Sequence, residues 1–111
     1  MIETIRVACV QMTSGPDINE NLKMADIFIR QTVREGAQFV STPENTCHIR
    51  HPSSEKLKSS PWQKDHPGVA FFSALAKELK IFLHIGSMAV KAADNKLFNR
   101  GFLQTKVRGQ P

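Results

Sequence analysis

No apolar run in this chain approaches the roughly 20 residues that a helical bilayer crossing requires, and no secretory h-region opens it. Cysteine is scarce. Cys9 and Cys47 sit in neither a CxxC pair nor a metal-like spacing, so free thiols in a reducing cytosol are the expectation. There is no internal repeat and no low-complexity tract. Trp62 is the single tryptophan, and with Lys56, Lys58 and Lys64 around it, it offers one aromatic and no stacking platform for bases.

What is present fits one globular domain over residues 1–111. With 41% hydrophobic and 23% charged residues, the chain can bury roughly two thirds of its unfolded surface. Lys and Arg outnumber Asp and Glu by 15 to 10, a formal net charge of +5. That excess would suit a polyanion, but the basic residues are scattered, so the charge reads as solvated surface. The expectation is a soluble cytoplasmic chain with no nucleic-acid partner and no membrane.

IRVACVQM, Ile5 to Met12, is nearly continuously apolar and predicts a strand buried on both faces. Gly15-Pro16 breaks it. Asp17 and Glu20 form a capping-box pattern, in which Asp17 accepts from early helical N–H groups and Glu20 reaches back. Leu22, Ala25, Ile29 and Val33 recur at helical spacing, so a helix from about Ile18 to Glu35 follows, stopped by Gly36. AQFVS, Ala37 to Ser41, is a second strand ended by Pro43. Residues 46–66 are rich in Ser, Lys, His and Pro without periodicity, and such length predicts a functional lid or mobile loop. Pro67 suits the first turn of a second helix, with Val69, Phe72, Leu75, Ala76 and Leu79 in one stripe and Lys77 and Lys80 near its C-terminus. IFLHIGSMAV, Ile81 to Val90, is a third strand, and Asp94-Asn95 turns it into LFNRGFL, Leu97 to Leu103, as an antiparallel hairpin.

The order is β-α-β-α-β-β, an α/β arrangement. Right-handed crossovers make the first three strands parallel and put both helices on one face of a mixed sheet. Reactive groups in such sheets collect at the carboxyl edge of the strands, and Glu44 stands just past the end of the second. Topology alone leaves Glu44 open between a site carboxylate and an ordinary solvated one.

Taken in order, RVACVQM, Asn21-Leu22, Gly36-Ala37, Pro43-Glu44, HIGSMAV and LFNRGFL resemble the nitrilase superfamily of carbon-nitrogen hydrolases, over residues 5 to about 103. Within it they look most like the amidase branch related to deaminated glutathione amidase and omega-amidase. The resemblance implies an α-β-β-α sandwich and hydrolysis of a small amide or nitrile through a covalent thioester, with a Glu base, a Lys near the oxyanion and a Cys nucleophile. It assigns the base to Glu44. An enclosed carboxylate loses hydration, its pKa rises, and it can take a thiol proton and later activate water.

The departures from the family pattern are as informative. After Leu103 the expected turn and Tyr-x-Lys-x-His segment is replaced by QTKVRGQP, and the neighbours of Lys106 do not match, so the Lys role is not carried over. Gly101 stands where a Ser or other small polar residue is usual. Cys47 follows Glu44 by three residues in an irregular segment that gives it no framework as a nucleophile, so it reads as a free loop thiol. Cys9 reads as packing inside strand one. Cys47, His48 and His51 lack a fourth ligand, and His66 is distant in sequence, so no metal and no cofactor are expected. His84 reads as a hydrogen-bonded core histidine.

Two readings remain open. The chain is either the amino-terminal part of an amidase, bearing the Glu base and inactive alone, or a non-catalytic remnant that keeps only stability or interactions. Both leave sheet surface uncovered, and a homo-oligomer is expected.

Overall fold

A computed structural model of the chain describes residues 4–43, 46, 61–62, 65–93 and 96–104. The elements are β1 (Val7–Cys9), α1 (Ile18–Arg34), β2 (Phe39–Thr42), α2 (Pro67–Leu79), β3 (Phe82–Ala93) and β4 (Lys96–Gln104). They form one four-stranded sheet in the order β1-β2-β3-β4. The first three strands are parallel and the last pair is antiparallel. The predicted mixed α/β sheet is therefore the observed one.

Local chemistry sets each helix. Asp17 caps α1 by accepting from the amide of Glu20 at 3.1 Å, while Lys23 Nζ approaches the Glu20 carboxylate at 3.4 Å. The turn after α1 needs a positive φ, and Gly36 supplies it at 97° with the Arg6 guanidinium packed where a Cβ would stand. That guanidinium donates to the Glu35 carbonyl at 2.8 Å and so tethers β1 to the helix end. His66 caps α2, its Nδ1 accepting from the amide of Gly68 ahead of Pro67 at the first turn. Lys80 closes that helix in the left-handed region, at φ 57°.

The core lies between the sheet and the two helices. Ala25 and Ile29 of α1 and Phe72, Leu75 and Ala76 of α2 meet Val40, Leu83 and Ile85 of the sheet. Side chains alternate across a strand, and the opposite alternation is open. Val7 pairs with Phe39 and Phe39 with Phe82, while Cys9, Ser41, His84 and Leu103 form the next row across all four strands. Val7 and Leu103 keep more than half of their surface in water, and Cys9 is exposed.

Two expectations fail here for one reason. β1 is not buried on both faces, and Cys9 is not packing: the helices cover one side of β1, and none of the described residues covers the other. His84 is hydrogen-bonded as expected, to Ser41 Oγ at 2.9 Å, and is half-buried on that open face.

β3 is three times as long as β2, so its upper half has no strand beside it on the β2 side. That edge is met instead by two short pieces of chain. Thr46 donates its amide to the Ser87 carbonyl at 3.1 Å, and the Lys91 amide donates to the Pro61 carbonyl at 2.8 Å. Trp62 forms a parallel bridge with Lys91, whose ammonium stands 5.9 Å from the indole centroid. Both ends of the 46–66 segment are therefore fixed to one strand. Most of the lid predicted there, residues 47–60, lies outside the described residues.

Candidate functional site

The carboxyl ends of the parallel strands meet a glycine-lined seam. Between the pairs Ile85–Phe102 and Met88–Arg100, the two residues Gly86 and Ser87 oppose only Gly101, which is a β-bulge. A Cβ on Gly86 would stand 2.6 Å from the Thr42 carbonyl oxygen and 2.6 Å from the Pro43 carbonyl carbon. Only glycine lets the chain leaving β2 lie this close to β3. Across the bulge, a Cβ on Gly101 would lie 3.0 Å from the Gly86 carbonyl oxygen. At the bulge, the Ser87 carbonyl receives the Thr46 amide at 3.1 Å.

Thr46 is fully buried, and each of its polar groups is used. Besides the amide bond to Ser87, its hydroxyl lies 2.9 Å from Thr42 Oγ1 and donates to the Pro43 carbonyl. Its own carbonyl accepts from Ser14 Oγ at 3.0 Å. Ser14 belongs to the loop after β1, so one residue ties together the exits of β1 and β2 and the bulge of β3. The β1 loop has its own brace: Asn21 accepts from the Gly15 amide at 2.9 Å and donates to the Gly15 carbonyl at 2.8 Å.

Glu44, the one catalytic residue expected from the sequence, lies outside the described residues. Its sequence neighbours on either side of positions 44–45 are Pro43 and Thr46, and both are held on β3. Cys47, His48, His51 and Lys106 also lie outside the described residues. His84 and Ser41 are on the open sheet face, the side of β2 opposite Thr42, and His66 serves α2. Sequence reasoning missed Thr46, Ser14 and Gly86. The signal for Thr46 is the i, i+4 repeat of threonine around Pro-Glu, whose two hydroxyls meet at 2.9 Å.

Among the described residues, the shifted ionisations lie away from this edge. Arg30 of α1 donates to Glu78 of α2 at 2.6 Å and to Asp26 of its own helix at 3.0 Å. The Arg30 guanidinium holds the Glu78 carboxyl below its ordinary value, and the same bonds, that to Glu78 first, raise the Arg30 pKa.

Comparison with known proteins falls on this same framework. The carbon-nitrogen hydrolase family profile matches residues 6–106. Deaminated glutathione amidase of Mus musculus is 33% identical over 98 residues, covering 84% of this chain and 30% of the mouse protein. The deaminated glutathione amidase of a Synechocystis strain is 42% identical over 53 residues, 48% of this chain and 19% of that protein. The chain thus spans under a third of the length of these curated relatives. Among solved structures, Saccharomyces cerevisiae Nit3, a member of branch 10 of the nitrilase superfamily, superposes with a TM-score of 0.78 at 27% identity, over 92% of this chain and 40% of its own. No described helix is long and apolar enough to cross a membrane.

Proposed function

The chain belongs to the carbon-nitrogen hydrolase family, and on that footing we propose that it supplies the general base, Glu44, of a hydrolase acting on a non-peptide C–N bond. The substrate class is a small amide, of the omega-amide kind that the branch resemblance suggests, or a nitrile. The observation that supports this reading is the anchoring of Pro43 and Thr46 on β3, on either side of positions 44–45 in sequence. In an amide reaction a base here takes the proton of a thiol as its sulfur attacks the carbonyl carbon. It returns that proton to the departing ammonia, then draws one from the water that opens the thioester.

On this reading residues 6–104 do not supply the family Lys and Cys, and the 111-residue chain is expected to release no ammonia from omega-amides by itself. A chimera tests the base directly. With residues 6–104 replacing the matching segment of mouse deaminated glutathione amidase, amide hydrolysis is expected, and Glu44→Gln should lower kcat by roughly 10²–10⁴-fold. A folded chimera indifferent to Glu44→Gln overturns the assignment, and Glu44-dependent turnover by the 111-residue chain alone overturns the division of parts.

The open sheet face supports a second reading, a cytoplasmic, self-associating domain in which contact between copies covers Val7, Phe39, Phe82 and Leu103. A monomer at micromolar concentration in size-exclusion chromatography removes it.

A further inference from the structure

β4 ends the sheet: among the described residues no strand lies beyond it. Which of its backbone groups look outward follows from β3. The amide of Phe82 donates to the Gln38 carbonyl and that of Lys91 to the Pro61 carbonyl, while the Ser87 carbonyl accepts from Thr46, so these three residues address the β2 side. Backbone groups alternate sides along a strand. Leu83 and Ile85 below the bulge, and Met88 and Val90 above it, therefore turn to β4, where they pair with Gln104, Phe102, Arg100 and Phe98. The residues between, Leu97, Asn99, Gly101 and Leu103, present their N–H and C=O groups to the outer edge. The bulge puts its extra residue on β3, so this outer row is unbroken, and no other described segment bonds to it. Strand edges are ordinarily blunted by proline, by a bulge or by shortness. β1, at the opposite end of the sheet, is three residues long, whereas β4 runs for nine and contains no proline.

We propose that the outer edge of β4 pairs antiparallel with β4 of a second copy, joining the two sheets into one about a twofold axis. A second copy fits because an antiparallel ladder is its own complement: the same row of donors and acceptors, turned through half a rotation, meets itself. Charge sets the register. An axis through Arg100 would oppose two guanidiniums, and like charges directly opposite each other destabilise a sheet. An axis one residue on, at Gly101, sets the exposed Arg100 against the partner's Phe102, a cation against an aromatic ring, and brings together at the axis two residues without side chains. Asn99 then exchanges bonds with the partner's Leu103, and Gly101 with the partner's Gly101, about six backbone hydrogen bonds in all. The contact is the strand edge, so the inference rests neither on Glu44 as the base nor on association through the open face.

Amide hydrogen exchange of the 111-residue chain, labelled at micromolar and at millimolar protein and resolved by residue, reads the outer row directly. At the higher concentration the amides of Asn99, Gly101 and Leu103 are expected to slow by about tenfold or more. That of Leu97, beyond the last pair, keeps its rate, and those of Phe98, Arg100 and Phe102 are protected by β3 at both concentrations. Asn99→Pro removes an outward donor without touching the β3 ladder, and it should abolish the slowing at Gly101 and Leu103. Val7→Lys, on the open face, should leave that slowing intact. If Asn99→Pro does not fold, the exchange pattern of the parent decides. Edge amides that exchange equally fast at both concentrations overturn the pairing, as does protection equally strong at both, which is cover from within one chain. A concentration dependence that Val7→Lys removes and Asn99→Pro keeps puts the contact on the open face and overturns the edge.

Discussion

The carbonyl carbon of Pro43 lies 2.6 Å from the place where a Cβ of residue 86 would stand. Backbone atoms on a fixed strand exit cannot yield as the end of a side chain can. Gly86→Ala therefore forces either β2 or the bulge to move. The expected loss is about 1–3 kcal/mol, read as a lower urea midpoint at unchanged slope. Gly101→Ala, with its nearest atom at 3.0 Å, should cost clearly less.

Asn21 braces Gly15 with both ends of its amide, and it is buried. Asn21→Ala takes the partner from an N–H and a C=O at once. A loss of about 1–3 kcal/mol is expected. Asn21→Asp retains the acceptor and loses the donor, so urea denaturation should place it between the parent and the alanine variant.

The two faces of the sheet should answer differently to the same deletion. Val40 is fully buried under the helices, and Val40→Ala is expected to cost about 2 kcal/mol. Val7 is 56% exposed, and Val7→Ala should stay within about 0.5 kcal/mol. In a Cys47→Ser background, Cys9 should react with a thiol reagent without denaturant. If copies associate through this face, that reactivity falls as protein concentration rises.

Arg30 and Glu78 join the two helices by a solvent-accessible ion pair. Because the folded Glu78 carboxyl is lowered from 4.5, its contribution is fully present above that ordinary value and is lost as pH falls through the depressed one. Arg30 stays charged throughout, so no matching loss arises near neutrality. Unfolding free energy measured between pH 6 and about 3 should fall less steeply in Glu78→Gln than in the parent. Salt should shrink the difference.

Much of the fold was legible because it is written in local pattern. The stripe Leu22, Ala25, Ile29 gave α1 its inner face, Gly36 its stop, and Pro67 the start of α2. Element ends shifted by one to three residues, most in β1, where only Val7–Cys9 is paired. An unbroken apolar run such as IRVACVQM does not record which of its faces is covered, since that depends on what packs there. This is why Cys9 was expected inside and stands outside. His66 as a helix cap was hidden because histidine is not among the residues that usually cap. The site was less legible than the fold. Pro43-Glu44 marks a strand exit, but the fit of Pro43 on Gly86 joins residues more than forty apart, and no local periodicity carries that.

Thr46 is stitched at Ser87 and Pro61 at Lys91, so two pieces of chain far apart in a loop are docked on one strand. Four residues of strand, about 13 Å, separate the docks. Each dock is a backbone hydrogen bond to β3, so the spacing of the two points is a property of the strand and not of the side chains that stand at them.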